Sequence, residues 1–217
     1  QPNLCPTYIE SMKKKIAEII NRLEQIYPNA VCALNHENPF QLLIATILSA
    51  QCTDERVNIV TQTLFKKYKT PLDFTLVPAE ELERDIYSTG FYKAKARNIQ
   101  LCCTQLIERF GGEIPQTMDE LHSLSGVGRK TANVVLGNAF GKNEGVTVDT
   151  HVTRICNLLG IVSSTNPEKI ERELMEIVPR EKWTMFTHLI ISHGRAICIA
   201  RRPKCAECVL SSLCPSS

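Results

Sequence analysis

Apolar positions in this 217-residue chain recur at helical spacing over most of its length, and no run alternates long enough to propose a strand. Between Pro6 and Ile26, the residues Ile9, Ile16, Ile19, Ile20 and Leu23 share one helical face, with Lys13, Lys14 and Lys15 on the wet side. PFQLLIATILSA, from Pro39 to Ala50, is a strongly apolar helix opened by Asn38 as N-cap and Pro39 at the first position. It ends in the polar turn Gln51-Cys52-Thr53-Asp54, and Arg56 to Tyr68 reads as the next helix. Pro71 and Pro78 punctuate the next segments. Glu80 to Ser88 is a short helix closed by Thr89-Gly90, and Lys93 to Phe110 a longer one stopped by Gly111-Gly112. Thr117 to Leu124 leads into a further helix pair, and a loop runs from Gly141 to Val148. Thr150–Leu159, Pro167–Val178 and Lys182–Cys198 are the last helices, so the pattern predicts an all-α fold.

Composition narrows the class. Hydrophobic residues make up 43% and charged residues 22%, ordinary for a globular chain able to bury a sizeable core. A formal charge of +2 is mild, so any affinity for nucleic acid must come from local clusters. The longest apolar run, Leu42 to Leu48, is interrupted by Thr46 and falls well short of the ~20 residues of a bilayer span, so no membrane partner is expected. The chain begins at Gln1 with no apolar signal-peptide core. Six of ten cysteines (Cys5, Cys32, Cys52, Cys102, Cys103, Cys156) are scattered, mostly in apolar helical segments, and read as small hydrophobes in a reducing cell. The other four crowd the last twenty residues, which argues for a metal site.

Leu121 to Asn138, LHSLSGVGRKTANVVLGN, reads as helix, tight turn and helix. Gly126 and Gly128 bracket Val127 and permit a sharp turn, and Ala132, Val135 and Leu136 form one apolar face beyond it. Amides at such a helix start lack intrahelical partners, and the dipole is positive there, so the turn suits an anion such as a DNA phosphate. Lys130 lies in the first turn of the new helix beside Arg129. Alone, the pattern is equally a plain helix connection with a solvated lysine.

The terminal cysteines, Cys198, Cys205, Cys208 and Cys214, form a C-x6-C-x2-C-x5-C array. Four thiolates can hold zinc or an iron–sulfur cluster. Only Cys205 and Cys208 form a zinc-ribbon-like knuckle, and the wide, uneven loops suit a bulkier cubane. A disulfide pair conflicts with the absent export signal.

Together, the hairpin LSGVGRKTANVVL, the segment VDTHVTRICN and the cysteine array resemble endonuclease III, in the helix-hairpin-helix glycosylase superfamily. The resemblance runs from the Pro39 helix to Cys214. It implies a six-helix lobe over residues 32–143, with the hairpin at about 121–138, and a second lobe built from residues 1–31 and 144–217 around a [4Fe-4S] cluster on Cys198, Cys205, Cys208 and Cys214. It further implies a monomeric base-excision-repair enzyme acting on double-stranded DNA with a damaged base or abasic site. Such an enzyme removes oxidised pyrimidines and then nicks the strand, in the cytoplasm and nucleoid of a bacterium or in a nucleus or organelle elsewhere. By motif, Lys130 is the nucleophile and Asp149 the essential carboxylate.

The residue types suit that chemistry. A lysine amine can attack C1′, form a Schiff base and acidify the C2′ proton, permitting β-elimination. A free lysine titrates near 10.4, and a helix N-terminus, the neighbouring Arg129 and desolvation each disfavour its ammonium form. Asp149 can take the amine's proton or stabilise charge on the sugar, and it also reads as the N-cap of the helix at Thr150. Base extrusion leaves a gap in the stack. Gln51 resembles the family's gap-filling residue, and Phe91 occupies the second wedge position, where an aliphatic residue is expected, as either a stacking side chain or a core residue. His151 resembles a DNA-contacting histidine, and Arg201, Arg202 and Lys204 suggest phosphate contacts alongside the hairpin residues Gly126, Gly128 and Arg129. Ser125, where many relatives carry Pro, is expected to loosen the hairpin slightly. Two other readings compete: an adenine or mismatch glycosylase, whose members typically lack the hairpin lysine, and a non-catalytic iron–sulfur module for DNA binding or redox sensing.

Overall fold

A computed structural model describes residues 6–217, which are helical with no strand among them. Cys5 lies outside the described residues. The chain divides into two compact units, Cys32–Glu144 and a second formed by the chain up to Val31 with Gly145–Ser217.

In the second unit, α1 (Pro6–Ile26) buries Ile16, Ile19, Ile20 and Leu23. Lys15 is not wholly on the wet side: half-buried, it donates to the Leu159 carbonyl at 2.5 Å.

The unit Cys32–Glu144 is organised around α2 (Pro39–Leu48), in which every residue from Phe40 to Leu48 is buried. A helix apolar on all sides has no face to offer water, and this sequence has only two polar side chains to satisfy. Thr46 bonds back to the Leu42 carbonyl, and Gln41 accepts from the Glu37 amide. Asn38 caps the helix as expected, accepting from the Gln41 amide. Then come α3 (Asp54–Lys67), α4 (Pro71–Leu76), α5 (Ala79–Asp85), a 3₁₀ turn at Tyr87–Thr89, α6 (Tyr92–Phe110), α7 (Met118–His122) and α8 (Arg129–Phe140). Helices α3, α6 and α8 pack on α2, α4 and α5 on α6, and α7 on α8. The short α4, which the sequence pattern did not mark, is nucleated by a capping box in which Thr70 and Asp73 satisfy each other's amides.

The second unit continues with α9 (Thr150–Leu158), α10 (Pro167–Ile177) and α11 (Trp183–Ala196), followed by the cysteine loop. Helices α10 and α11 pack on α1, and α9 on α11. Arg22 of α1 donates to the Val209 carbonyl (2.8 Å) and the Ser212 hydroxyl (2.9 Å), tying the cysteine loop to the start of the chain.

Candidate functional site

The hairpin is shaped by one glycine more than the other. Gly126 has φ +75°, and a β-carbon there would lie 2.9 Å from Asn98 Cβ, so both backbone and packing require glycine. Gly128 has an ordinary φ of −85° and open space where a side chain would stand. It is the N-cap of α8, and no side chain caps that helix start. Buried Leu124 and Val127 anchor the turn, while Gly126, Gly128, Arg129 and Lys130 are exposed. Lys130 is the second residue of α8. Ser125, expected to loosen the hairpin slightly, is held by two bonds: its amide donates to Gln105 Oε1 at 2.7 Å and its hydroxyl to Asn98 Oδ1 at 3.3 Å. A proline has neither donor.

Gln51 and Phe91 are the two non-glycine residues with positive φ among the described residues, at +52° and +49°. Such a backbone costs of order 1–3 kcal/mol and persists where the surroundings over-determine it. Both side chains are exposed, Phe91 by 65%, so its core reading is excluded. Tyr87 and Tyr92, with ring centroids 4.8 Å apart, flank it in sequence.

Asp149 is the N-cap of α9, its Oδ1 accepting from the Val152 amide at 2.8 Å. His151, two residues on, is half-buried with Nδ1 enclosed and unpartnered.

Cys198, Cys205, Cys208 and Cys214 line one cavity of about 80 Å³ together with His193 and Leu158. Cys198, Cys205, Cys208 and Cys214 are all free thiols. The Cys208 thiol is pushed up chiefly by burial, against a Leu210 amide that lowers it, with the charges of Cys198, Cys214 and Cys205 adding to the rise. Four thiols lining one cavity are the donor set that an iron–sulfur cluster takes. Two nitrogens lie against the sulfurs, Arg154 Nη1 donating at 3.5 Å to Cys198 Sγ and His193 Nε2 at 3.4 Å from Cys208 Sγ. Tyr27 Oη sits 3.4 Å from His193 Nδ1. Sequence reasoning missed this shell: Arg154 lies within VDTHVTRICN and His193 five residues before Cys198, and nothing local marks either as facing sulfur. Arg201, Arg202 and Lys204 are exposed on the loop between the first two cysteines.

The remaining cysteines divide. Burial pushes Cys102 up to about 12 and Cys103 and Cys156 higher still, as expected of inert hydrophobes. Cys32 and Cys52 are half-buried and lie in loops rather than helices.

A family model for HhH-GPD superfamily base excision DNA repair proteins matches residues 44–180, and one for the iron-sulfur binding domain of endonuclease III matches residues 198–214. The chain is 52% identical to endonuclease III of Synechocystis sp. over 95% of its length and 94% of that protein's. Against endonuclease III of Escherichia coli the identity is 42%, over 93% and 95%. A non-covalent endonuclease III–DNA complex superposes with a TM-score of 0.90 at 48% identity, covering 94% of this chain and 95% of that one. A trapped covalent intermediate of endonuclease III with DNA gives 0.89 at 48% identity, covering 94% and 96%.

Proposed function

Because the chain belongs to the endonuclease III family of HhH-GPD base excision DNA repair proteins, we propose that it is a bifunctional DNA glycosylase and abasic-site lyase acting, as a monomer, on oxidised pyrimidines in duplex DNA. The observation that carries this reading is Lys130, exposed in the first turn of a helix whose start no side chain caps. There an amine stands beside a phosphate-binding turn, in the positive field of the helix.

Lys130 is the nucleophile. As the neutral amine it attacks C1′ of the damaged nucleotide. The C1′–N bond breaks with its electron pair going to the base, which leaves after taking up a proton. Ring opening gives an iminium in which Nζ is doubly bonded to C1′. This group draws electrons from the C2′–H bond, and loss of that proton expels the 3′ phosphate. Asp149 takes the proton released when the amine attacks, or faces the positive charge that develops on the sugar. Gln51 and Phe91 fill the gap left by the extruded base, which gives a purpose to two left-handed backbones. The amides around Gly128, with Arg129, Arg201, Arg202 and Lys204, hold phosphates, and His151 contacts the DNA. Cys198, Cys205, Cys208 and Cys214 hold the [4Fe-4S] cluster, which fixes the shape of the loop presenting those basic residues.

Borohydride trapping on an abasic-site duplex tests the assignment. Wild type should yield a covalent adduct whose modified peptide contains residue 130. K130A should yield neither adduct nor nick while still binding abasic DNA, because the backbone amides remain. A persistent adduct in K130A would move the nucleophile to another amine, with exposed Lys93 the next suspect. An adenine-type or mismatch glycosylase does not require this lysine, and neither does a non-catalytic module, so the same assay separates the proposed reading from both. No helix among the described residues is long and apolar enough to cross a membrane.

A further inference from the structure

Lys95 lies in the first turn of α6, in the sequence FYKAKARN, where lysines at alternate positions read as solvated surface. It is instead 5% exposed. Its Nζ donates to the Leu48 carbonyl and to the Thr89 carbonyl, each at 2.8 Å. Leu48 ends α2, three residues before Gln51, and Thr89 ends the 3₁₀ turn, two residues before Phe91. One ammonium thus ties together the starts of both turns whose tips carry the left-handed residues, holding the two carbonyl oxygens no more than twice 2.8 Å apart. The grip on the second turn is double, because the Lys95 backbone amide donates to the Phe91 carbonyl at 3.0 Å.

Packing alone does not account for a lysine here. Its neighbour Ala96 and Ile99 in the next turn are buried apolar residues, and desolvation holds the Lys95 amine below its ordinary value, opposed only by the charge of Cys52. A methionine would fill similar volume at no such cost, but it has no donor to reach either carbonyl. The carbonyl at the end of α2 also favours a cation, since the helix dipole is negative there.

We infer that Lys95 is a positioning residue that locks the Gln51 and Phe91 turns in register, so that both side chains are pre-set to enter the DNA stack. The inference rests on the gap-filling reading of those two residues. Insertion from both turns at once requires their tips to be fixed relative to each other, and the Lys95 ammonium bonds both turns at their roots.

The test uses a duplex with a tetrahydrofuran abasic analogue opposite 2-aminopurine, whose fluorescence rises when insertion unstacks it. K95M should melt cooperatively and bind undamaged duplex as wild type does, yet lose most of the fluorescence rise. Its single-turnover base removal should slow by about 10²-fold, the loss expected from ~1 Å of misplacement, while nicking of a preformed abasic site slows less. K95Q, which keeps donors on a shorter stem, should fall between. K95M matching wild type in fluorescence and excision would overturn the inference, as would failure of both K95M and K95Q to melt cooperatively, which would assign Lys95 to the fold as a whole. Q51A and F91A separate the two readings. If both keep the full rise, the gap-filling reading fails and takes this inference with it. If they lose it and K95M does not, only the role of Lys95 fails. Adding K95M to the Q51A/F91A pair should cost little more, and a further full-sized loss would place its action elsewhere.

Discussion

Gly194 of α11 lies so close to His151 of α9 that a β-carbon built on it would fall 2.6 Å from the imidazole Nδ1 and 2.8 Å from Ile155 Cδ1. The contact presses the half-buried ring of a proposed DNA-facing residue against a neighbouring helix backbone. G194A must push α9 and α11 apart or turn the ring. Overpacking of this kind costs roughly 1–3 kcal/mol, so thermal denaturation should show a midpoint several degrees lower. Affinity for abasic DNA should fall as well, because the ring is displaced. An unshifted midpoint would mean that the two helices yield freely.

Stability should fall on mild acidification. Burial holds His188 below the ordinary imidazole value. The folded chain keeps this ring neutral, whereas the unfolded chain takes up a proton near pH 6.5. Stability is therefore complete above that pH and is lost progressively below it, until the folded-state value is reached. Asp73 and Glu81, both held below the ordinary carboxylate range, act in the same direction only at lower pH, beneath about 4. Melting midpoints measured from pH 7.5 to 5.5 should decline, and H188Q should flatten part of the slope. A midpoint that holds or rises over this range would contradict the account.

The cysteine array makes a chemical prediction. Purified protein should be brown, with iron and acid-labile sulfide at about four each per chain, the cubane stoichiometry. Stoichiometric zinc without visible absorption would sink the assignment. R154A removes the donor at Cys198 Sγ and should speed loss of the visible band in air or chelator before it alters the helix content of the unit. An unchanged bleaching rate would leave Arg154 without influence on the cluster.

Local rules made the helices legible. Asn38 with Pro39, and Asp149 before Thr150, each cap the helix that their spacing suggests, because a short oxygen side chain before an apolar repeat has few other uses. The capping box at Thr70–Asp73 carries the same signal for α4, but two prolines nearby read as breakers. What sequence hides is the long-range partner. Lys95 sits among lysines that look solvated, and only the fold brings the carbonyls of Leu48 and Thr89 to it. Arg154 and His193 likewise face sulfur only once α9 and α11 pack beside the cysteine loop. Phe91 is undecidable in sequence for the opposite reason, since an aromatic residue after a glycine suits a core or a surface equally well.

Asp149 does two jobs that substitution can separate. As N-cap of α9, its Oδ1 accepts from the Val152 amide, which needs only an oxygen acceptor. As the proposed acid–base group, it needs a carboxylate. Asparagine caps about as well as aspartate, whereas alanine loses roughly 1 kcal/mol. D149N should therefore keep the wild-type melting midpoint, and D149A should lower it. Both variants should lose base removal to a similar and large extent, since neither carries the negative charge. Nicking of a preformed abasic site should suffer less in both, because the abasic aldehyde is already electrophilic and no base has to leave. If base removal instead followed the midpoint, surviving in D149N and failing in D149A, the residue would be a cap alone, and the carboxylate of this reaction would have to be sought on another side chain.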